Sequence, residues 1–207
     1  MKRILYILLL SVSLLSAASY TSMGQVKSIA GLDLRMTDYG SSLGGVWQWR
    51  LLNGFHAGLQ ANWTIVSSGK EYTISYYDPY YGREITMKLN TIHLDFVKAG
   101  LFLKKHFFTR QLDNTFAPYF SLQAGPVLAI DTDNDPWSNI SRYKDAGFYM
   151  GFYTHLHFGI DFMMQKKSSL TVALGYEINH FGQPVDEDFL KQNWNGAALI
   201  LTYGRYF

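Results

Sequence analysis

From Phe55 to Val66 the chain alternates without a break. Phe55, Ala57, Leu59, Ala61, Trp63 and Ile65 share one face, and His56, Gly58, Gln60, Asn62 and Thr64 share the other. A period of two belongs to an extended strand, because successive side chains leave a pleated backbone on opposite sides. The same alternation runs through the last stretch, Trp194 to Phe207. There Ala197, Leu199, Leu201, Tyr203 and Phe207 oppose Gly196, Ala198, Thr202 and Gly204, with Ile200 the apolar exception. A chain patterned in this way folds as a two-faced sheet. What must still be settled is which face meets a core, which meets water and whether either meets lipid.

Charged residues in mid-strand narrow that choice. In Ala30–Thr37, Leu32, Leu34 and Met36 alternate with Asp33 and Arg35. A carboxylate or guanidinium there is costly against hydrocarbon, so that face is expected to turn inward. Leu43, Trp47, Trp49 and Leu51 likewise oppose Ser42, Gln48 and Arg50. Residues 118–130 place Phe120, Leu122 and Leu128 opposite Tyr119, Ser121 and Gln123, although Pro118 and Pro126 weaken this stretch as an ordinary strand. Phe148, Met150, Phe152, Leu156 and Phe158 oppose Tyr153, His155, His157 and Asp161. Leu170, Val172, Leu174, Tyr176 and Ile178 oppose Thr171, Glu177 and Asn179. Between Ile85 and Phe107 the phase slips near Phe96-Val97, which predicts a β-bulge or an extension outside the membrane.

The count is about eight strands, an even number, and the connections sort by side. Those after the second, fourth and sixth strands are short to medium. Those after the third (Ser67–Glu84), fifth (Asp131–Lys144) and seventh (Gly182–Asn193) are long and read as loops. A membrane-spanning barrel sorts its loops in this way, and a soluble sandwich has no reason to. Aromatic content of 16%, with 15 Tyr, suits the aromatic girdles of such a barrel. The N-terminus reads as a cleaved signal peptide over residues 1–24. A basic Met1-Lys2-Arg3 precedes an apolar Ile4–Leu15, with cleavage expected after Ala18 or Gly24. The domain is then 25–207. That apolar run is shorter than the roughly 20 residues of a spanning helix, and no second one follows. Losing Lys2 and Arg3 from 18 basic residues leaves 16, against 16 acidic. There is no basic excess to attract nucleic acid, and without cysteine there is neither disulfide nor thiolate chemistry.

The stretch Phe96-Val97-Lys98-Ala99-Gly100-Leu101-Phe102-Leu103-Lys104, followed by Ala117-Pro118-Tyr119-Phe120-Ser121-Leu122-Gln123-Ala124-Gly125-Pro126, resembles the small outer-membrane β-barrels labelled "porin family" in Bacteroidota-type bacteria. Gly159-Ile160-Asp161-Phe162 resembles a strand end of the same family. Lys98 and Gly100 depart from it, standing where the family carries an acid and a proline. The final Phe207 resembles the assembly signal of such barrels, except that Arg205 replaces an aromatic and Tyr206 is displaced by one. The resemblance implies an all-β, eight-stranded antiparallel transmembrane barrel in the bacterial outer membrane. Expected partners are outer-membrane lipid, lipopolysaccharide and the barrel-assembly machinery.

The inward polar set is Asp33, Arg35, Gln48, Arg50, Gln60, Asn62, Lys98, His155, His157, Asp161, Glu177 and Asn179. Acids and bases are similar in number, so a charge-paired plug is expected, with Asp33 and Arg35 joined to Glu177. A barrel of eight strands is just wide enough for side chains to fill. A narrow water path is the alternative. His155, His157 and Asp161 share a strand face, but a hydrogen-bonded lumen set is expected there rather than a metal site. Asp131-Thr132-Asp133-Asn134-Asp135 starts like a calcium loop without its glycine and distal glutamate. No cofactor is expected. The function expected is structural, surface-interacting or that of a small pore, with Tyr76–Tyr81 as a candidate surface for a ligand. Two rivals stand beside it. A lipid-modifying enzyme would use His180 at the rim, but Gly182 stands where a serine nucleophile would be needed. A soluble periplasmic barrel would need an open apolar pocket.

Overall fold

The computed structural model describes residues 28–52, 54–67, 72–89, 94–107, 116–132, 146–165, 167–185 and 191–207. The signal-peptide expectation and most of the calcium-like loop fall outside these residues.

Eight strands close on themselves. They are β1 (Ser28–Thr37), β2 (Gly40–Leu52), β3 (Phe55–Val66), β6 (Leu94–His106), β7 (Phe116–Asp131), β8 (Gly147–Gln165), β9 (Ser168–Phe181) and β10 (Asn193–Tyr206). Each pairs antiparallel with its neighbours, and β1 pairs with β10 to seal the barrel. Closure leaves none of these eight strands with an open edge. Connections after β2, β6 and β8 lie at one end, together with Ser28 and Phe207. The β1–β2 turn and the links after β3, β7 and β9 lie at the other. We call these the short-turn end and the loop end. Gly54 takes a positive φ of 73° in the β2–β3 turn, a conformation that glycine adopts without steric cost.

The strands are steeply tilted, as closure requires. Following paired residues round the wall makes the stagger visible. Ile29 leads to Gln48, Gly58, Phe102, Gln123, His155, Glu177 and Gly196. The circuit starts at the short-turn end of β1. It finishes beside Asp38, just past the loop end of the same strand, where the Asp38 N–H donates to the Ala197 carbonyl (3.3 Å).

The two faces separate as the alternation predicts. Outward residues are large, apolar and exposed: Trp47 at 61%, Leu59 at 52%, Leu174 at 67%. Aromatic residues stand near both ends of this band, with Phe55, Phe162 and Phe207 toward the short turns and Trp63 and Phe148 toward the loops. An exterior of this kind is made for hydrocarbon, with aromatic belts at its two interfaces. The proline expectation is resolved by the pairing. Both prolines sit in β7, and the β6–β7 ladder runs from Leu94↔Asp131 to Lys98↔Val127 and resumes at Leu101↔Ala124. The gap falls at Gly125 and Pro126, where the proline has no N–H to give.

Three expectations are corrected. The stretch Ser67–Glu84 is not simply a loop. It contains β4 (Tyr72–Asp78), which pairs with β5 (Arg83–Leu89) in a separate two-stranded hairpin. Asp78 caps its turn by accepting from the N–H groups of Tyr80 (2.8 Å) and Tyr81 (3.3 Å). The extended segment Ile85–Phe107 is divided between β5 and β6. No bulge lies at Phe96-Val97 either, because β3 and β6 pair in one register from Phe55↔Lys105 to Ile65↔Asp95. The apparent slip arises because Leu94 and Phe96 point inward, in phase with Lys98, and line an apolar end of the lumen. Register shifts occur instead at Arg50/Leu52 and Met163/Gln165, at the short-turn end.

Candidate functional site: a lumen filled by two ion-pair clusters

The first cluster forms around Arg35 and Glu177. Asp33 and Arg35 are two apart on β1, so both face inward, and Arg35 Nε donates to Asp33 Oδ2 at 2.6 Å. The same oxygen accepts from Gln60 (2.6 Å) and Asn62 (2.8 Å) on β3, while Oδ1 accepts from Thr202 on β10 (2.7 Å). The remaining Arg35 nitrogens reach Gln123 Oε1 (3.0 Å), His155 Nδ1 (2.8 Å) and Glu177 Oε2 (3.5 Å), on β7, β8 and β9. Guanidinium can only donate, so His155 accepts through an unprotonated Nδ1. Glu177 Oε1 is held by Lys98 and by the hydroxyl of Tyr39, and Asn179 Nδ2 adds a bond at 3.1 Å. Lys98 also donates to Tyr39 (3.0 Å). Two cations therefore face two carboxylates, and the carboxylates accept further bonds from neutral groups. That satisfaction is what buried charge requires.

The second cluster lies nearer the short turns and is built on Asp161. Its Oδ2 accepts from Lys104 (2.5 Å) and His106 Nε2 (2.6 Å), and Thr171 bonds Oδ1. His106 Nδ1 faces His56 Nδ1 at 3.2 Å with the rings perpendicular. Lys104 also stands 3.8 Å over the ring of Tyr119. Between the clusters is a cavity of about 40 Å³, lined among others by Asp33, Gln48, Lys104, Ser121, His157 and Asp161. It has room for a few waters and is too small for an organic ligand.

Apolar residues cluster at both ends. Tyr39, Phe96, Tyr153, Phe181, Val185 and Trp194 pack together above the first cluster at the loop end. Ile29, Ala117, Met163 and Tyr206 pack together at the short-turn end.

Each residue of the sequence-derived set faces the interior. Asp33, Arg35, Gln48, Gln60, Asn62, Lys98, His155, His157, Asp161, Glu177 and Asn179 are buried, and Arg50 is half-buried near the short-turn end. The structure joins Asp33, Arg35, Lys98, His155 and Glu177, and it separates Asp161 into the other cluster. The His155–His157–Asp161 grouping is thus divided: Arg35 occupies His155 Nδ1, and Lys104 and His106 occupy Asp161. Among the described residues no three His, Asp or Glu side chains are arranged so that they could hold a metal ion. Sequence reasoning left His56, Lys104, His106, Gln123 and Thr171 out of the set, although each shares the inward phase of its strand. Tyr39 sits in a turn and gave no periodic signal at all. At the rim, His180 is exposed and its Nδ1 bonds Asn193 Oδ1 (2.7 Å).

No family model matches this chain. No curated protein matches it either. Among solved structures it is similar to Neisserial surface protein A (NspA), with a TM-score of 0.53 at 11% identity over 88% of this chain and 96% of that one. The N-terminal β-barrel domain of Pseudomonas aeruginosa OprF gives a TM-score of 0.47 at 15% identity, covering 88% of this chain and 99% of that one. The outer membrane protein OprG from Pseudomonas aeruginosa gives 0.43 at 13%, covering 90% and 97%. The likeness to NspA is a likeness of fold: a small eight-stranded barrel of the outer-membrane type.

Proposed function

We propose that this chain is a bacterial outer-membrane β-barrel of structural or surface-interaction type, without catalytic activity and with its lumen shut. One observation carries the reading, the paired charges that fill the lumen between an apolar cluster at each end. An open channel would leave those charges in water, and a ligand carrier would leave an apolar cavity. The exterior supports lipid as the immediate surroundings, since its exposed rows are Leu, Trp, Phe and Met. Export by an N-terminal signal and insertion by the barrel-assembly machinery fit the ordered alternation of the strands. The resemblance to the "porin family" of Bacteroidota-type bacteria is then a kinship of fold, with no pore implied. The β4–β5 hairpin is the natural surface for a ligand or for lipopolysaccharide, because Tyr77, Tyr80 and Tyr81 are exposed on it, Tyr80 at 88%.

The test is single-channel recording of protein refolded and inserted into a planar bilayer. The reading expects silence at moderate voltage. Discrete, reproducible steps would overturn it in favour of a small pore, with Arg35, Lys98 and Glu177 as its selectivity groups.

A further inference from the structure

We propose that the short-turn rim of the barrel is a binding surface for the phosphate headgroups of anionic phospholipids, carried by Lys105, Lys167 and Arg205. The inference rests on the membrane reading above and adds a lipid preference to it.

The argument starts from Arg205, the residue that breaks the aromatic pattern of the last strand. It pairs with Ala30 on β1 and Ser168 on β9, one residue before the buried Tyr206, and its own side chain is exposed on the outside of the wall. Lys167 is exposed in the adjoining β8–β9 turn, where its carbonyl accepts from the Tyr206 N–H (2.8 Å). These two cations are therefore neighbours. Lys105 occupies the same end of β6, opposite Phe55, and its Nζ stands 3.8 Å over the Phe55 ring. All three accompany the aromatic belt of this rim, Phe55, Tyr203 and Phe207, which are outward and exposed. A long cationic side chain beside an interfacial aromatic buries its stem and sends its charge to the headgroup level.

Among the residues whose side chains are described, the two ends of the barrel differ in charge. Among the described residues, no Asp or Glu side chain faces outward at the short-turn end. The loop end carries Asp38, Asp78, Glu84 and Asp131 against Arg83 and Lys191. Short turns face the periplasm in barrels of this kind, so the cationic rim meets the leaflet made of phospholipid. A cation near such a surface is attracted to anionic headgroups, and salt weakens that attraction over a Debye length.

The experiment measures the equilibrium constant for folding of the full chain in two vesicle types at low salt. One is zwitterionic phosphatidylcholine, and the other contains phosphatidylglycerol as well. The wild type is expected to fold more favourably with phosphatidylglycerol, by roughly fivefold for each cation that meets a headgroup. The triple variant Lys105→Gln, Lys167→Gln, Arg205→Gln is expected to match wild type in phosphatidylcholine and to lose the preference. The loop-end variant Arg83→Gln, Lys191→Gln is expected to keep it, which separates this rim from phosphate binding at the other end. If the triple variant does not fold, salt applied to wild type decides: the preference must collapse by about 0.5 M. A wild type indifferent to phosphatidylglycerol, or a preference that survives the triple substitution or the salt, overturns the proposal while leaving the membrane reading intact. Failure of the wild type to insert into either vesicle overturns both.

Discussion

The two faces of the barrel wall are made from alternate residues of the same strands, yet they obey different rules. Outside, Leu59, Leu101 and Leu174 need only be apolar, because hydrocarbon accepts any shape. Inside, each charged group of the two clusters is met by partners of the right kind at the right distance. Asp33 alone gathers Arg35, Gln60, Asn62 and Thr202 from three strands. The outer face is therefore tolerant within one chemical class, and the inner face is specific to particular residues.

Substitutions can break this contrast. The largest effect is expected for Glu177→Gln. It removes the carboxylate that Lys98 and Arg35 share and leaves only Asp33 paired to Arg35, at about 3–5 kcal/mol of folding free energy. Urea titration in vesicles measures this, and a loss below ~1 kcal/mol would mean that water already enters the cluster. Next is Leu59→Arg, which moves a charge onto the lipid face and should cost roughly 2–4 kcal/mol near the midplane. The same titration checks it, and an unchanged free energy would contradict the outward assignment. Gly175→Ala tests the inner face by volume alone. A Cβ there would lie 2.5 Å from His157 Cβ and 2.6 Å from His155 Nε2, so a loss of about 1–3 kcal/mol is expected. The smallest effect belongs to Leu174→Met, a lipid-facing swap expected to stay within ~0.5 kcal/mol. If Leu174→Met proves as costly as Gly175→Ala, the exterior is a packed interface and not a lipid surface.

The contrast also explains what the sequence disclosed. Outward rows such as Phe55–Ile65 are legible because one rule, apolarity at every second position, acts on each strand separately. The membership of the inner face follows from the same rule, so Asp33, Arg35, Lys98 and Glu177 could be placed in the lumen. Who pairs with whom depends on the stagger of the closed barrel. The paired circuit from Ile29 climbs the whole of β1 before it returns, and this decides that His155 meets Arg35 while Asp161 meets Lys104. No local pattern encodes that stagger. Phe96 misled for a related reason: an inward aromatic at the apolar loop end mimics a change of phase. The β4–β5 hairpin was hidden because the tyrosine-rich run about its turn, with Pro79 and Gly82, reads as loop, although Tyr76↔Ile85 and Tyr77↔Glu84 pair in register.

The most direct test of the two-faced wall is quenching of tryptophan fluorescence by brominated lipid in single-tryptophan variants. Trp47 and Trp63 are exposed on the outer face, and Trp194 is buried in the loop-end closure. The account predicts strong quenching when only Trp47 or only Trp63 remains, and little when only Trp194 remains. Equal quenching of Trp194, or none at Trp47, would contradict it.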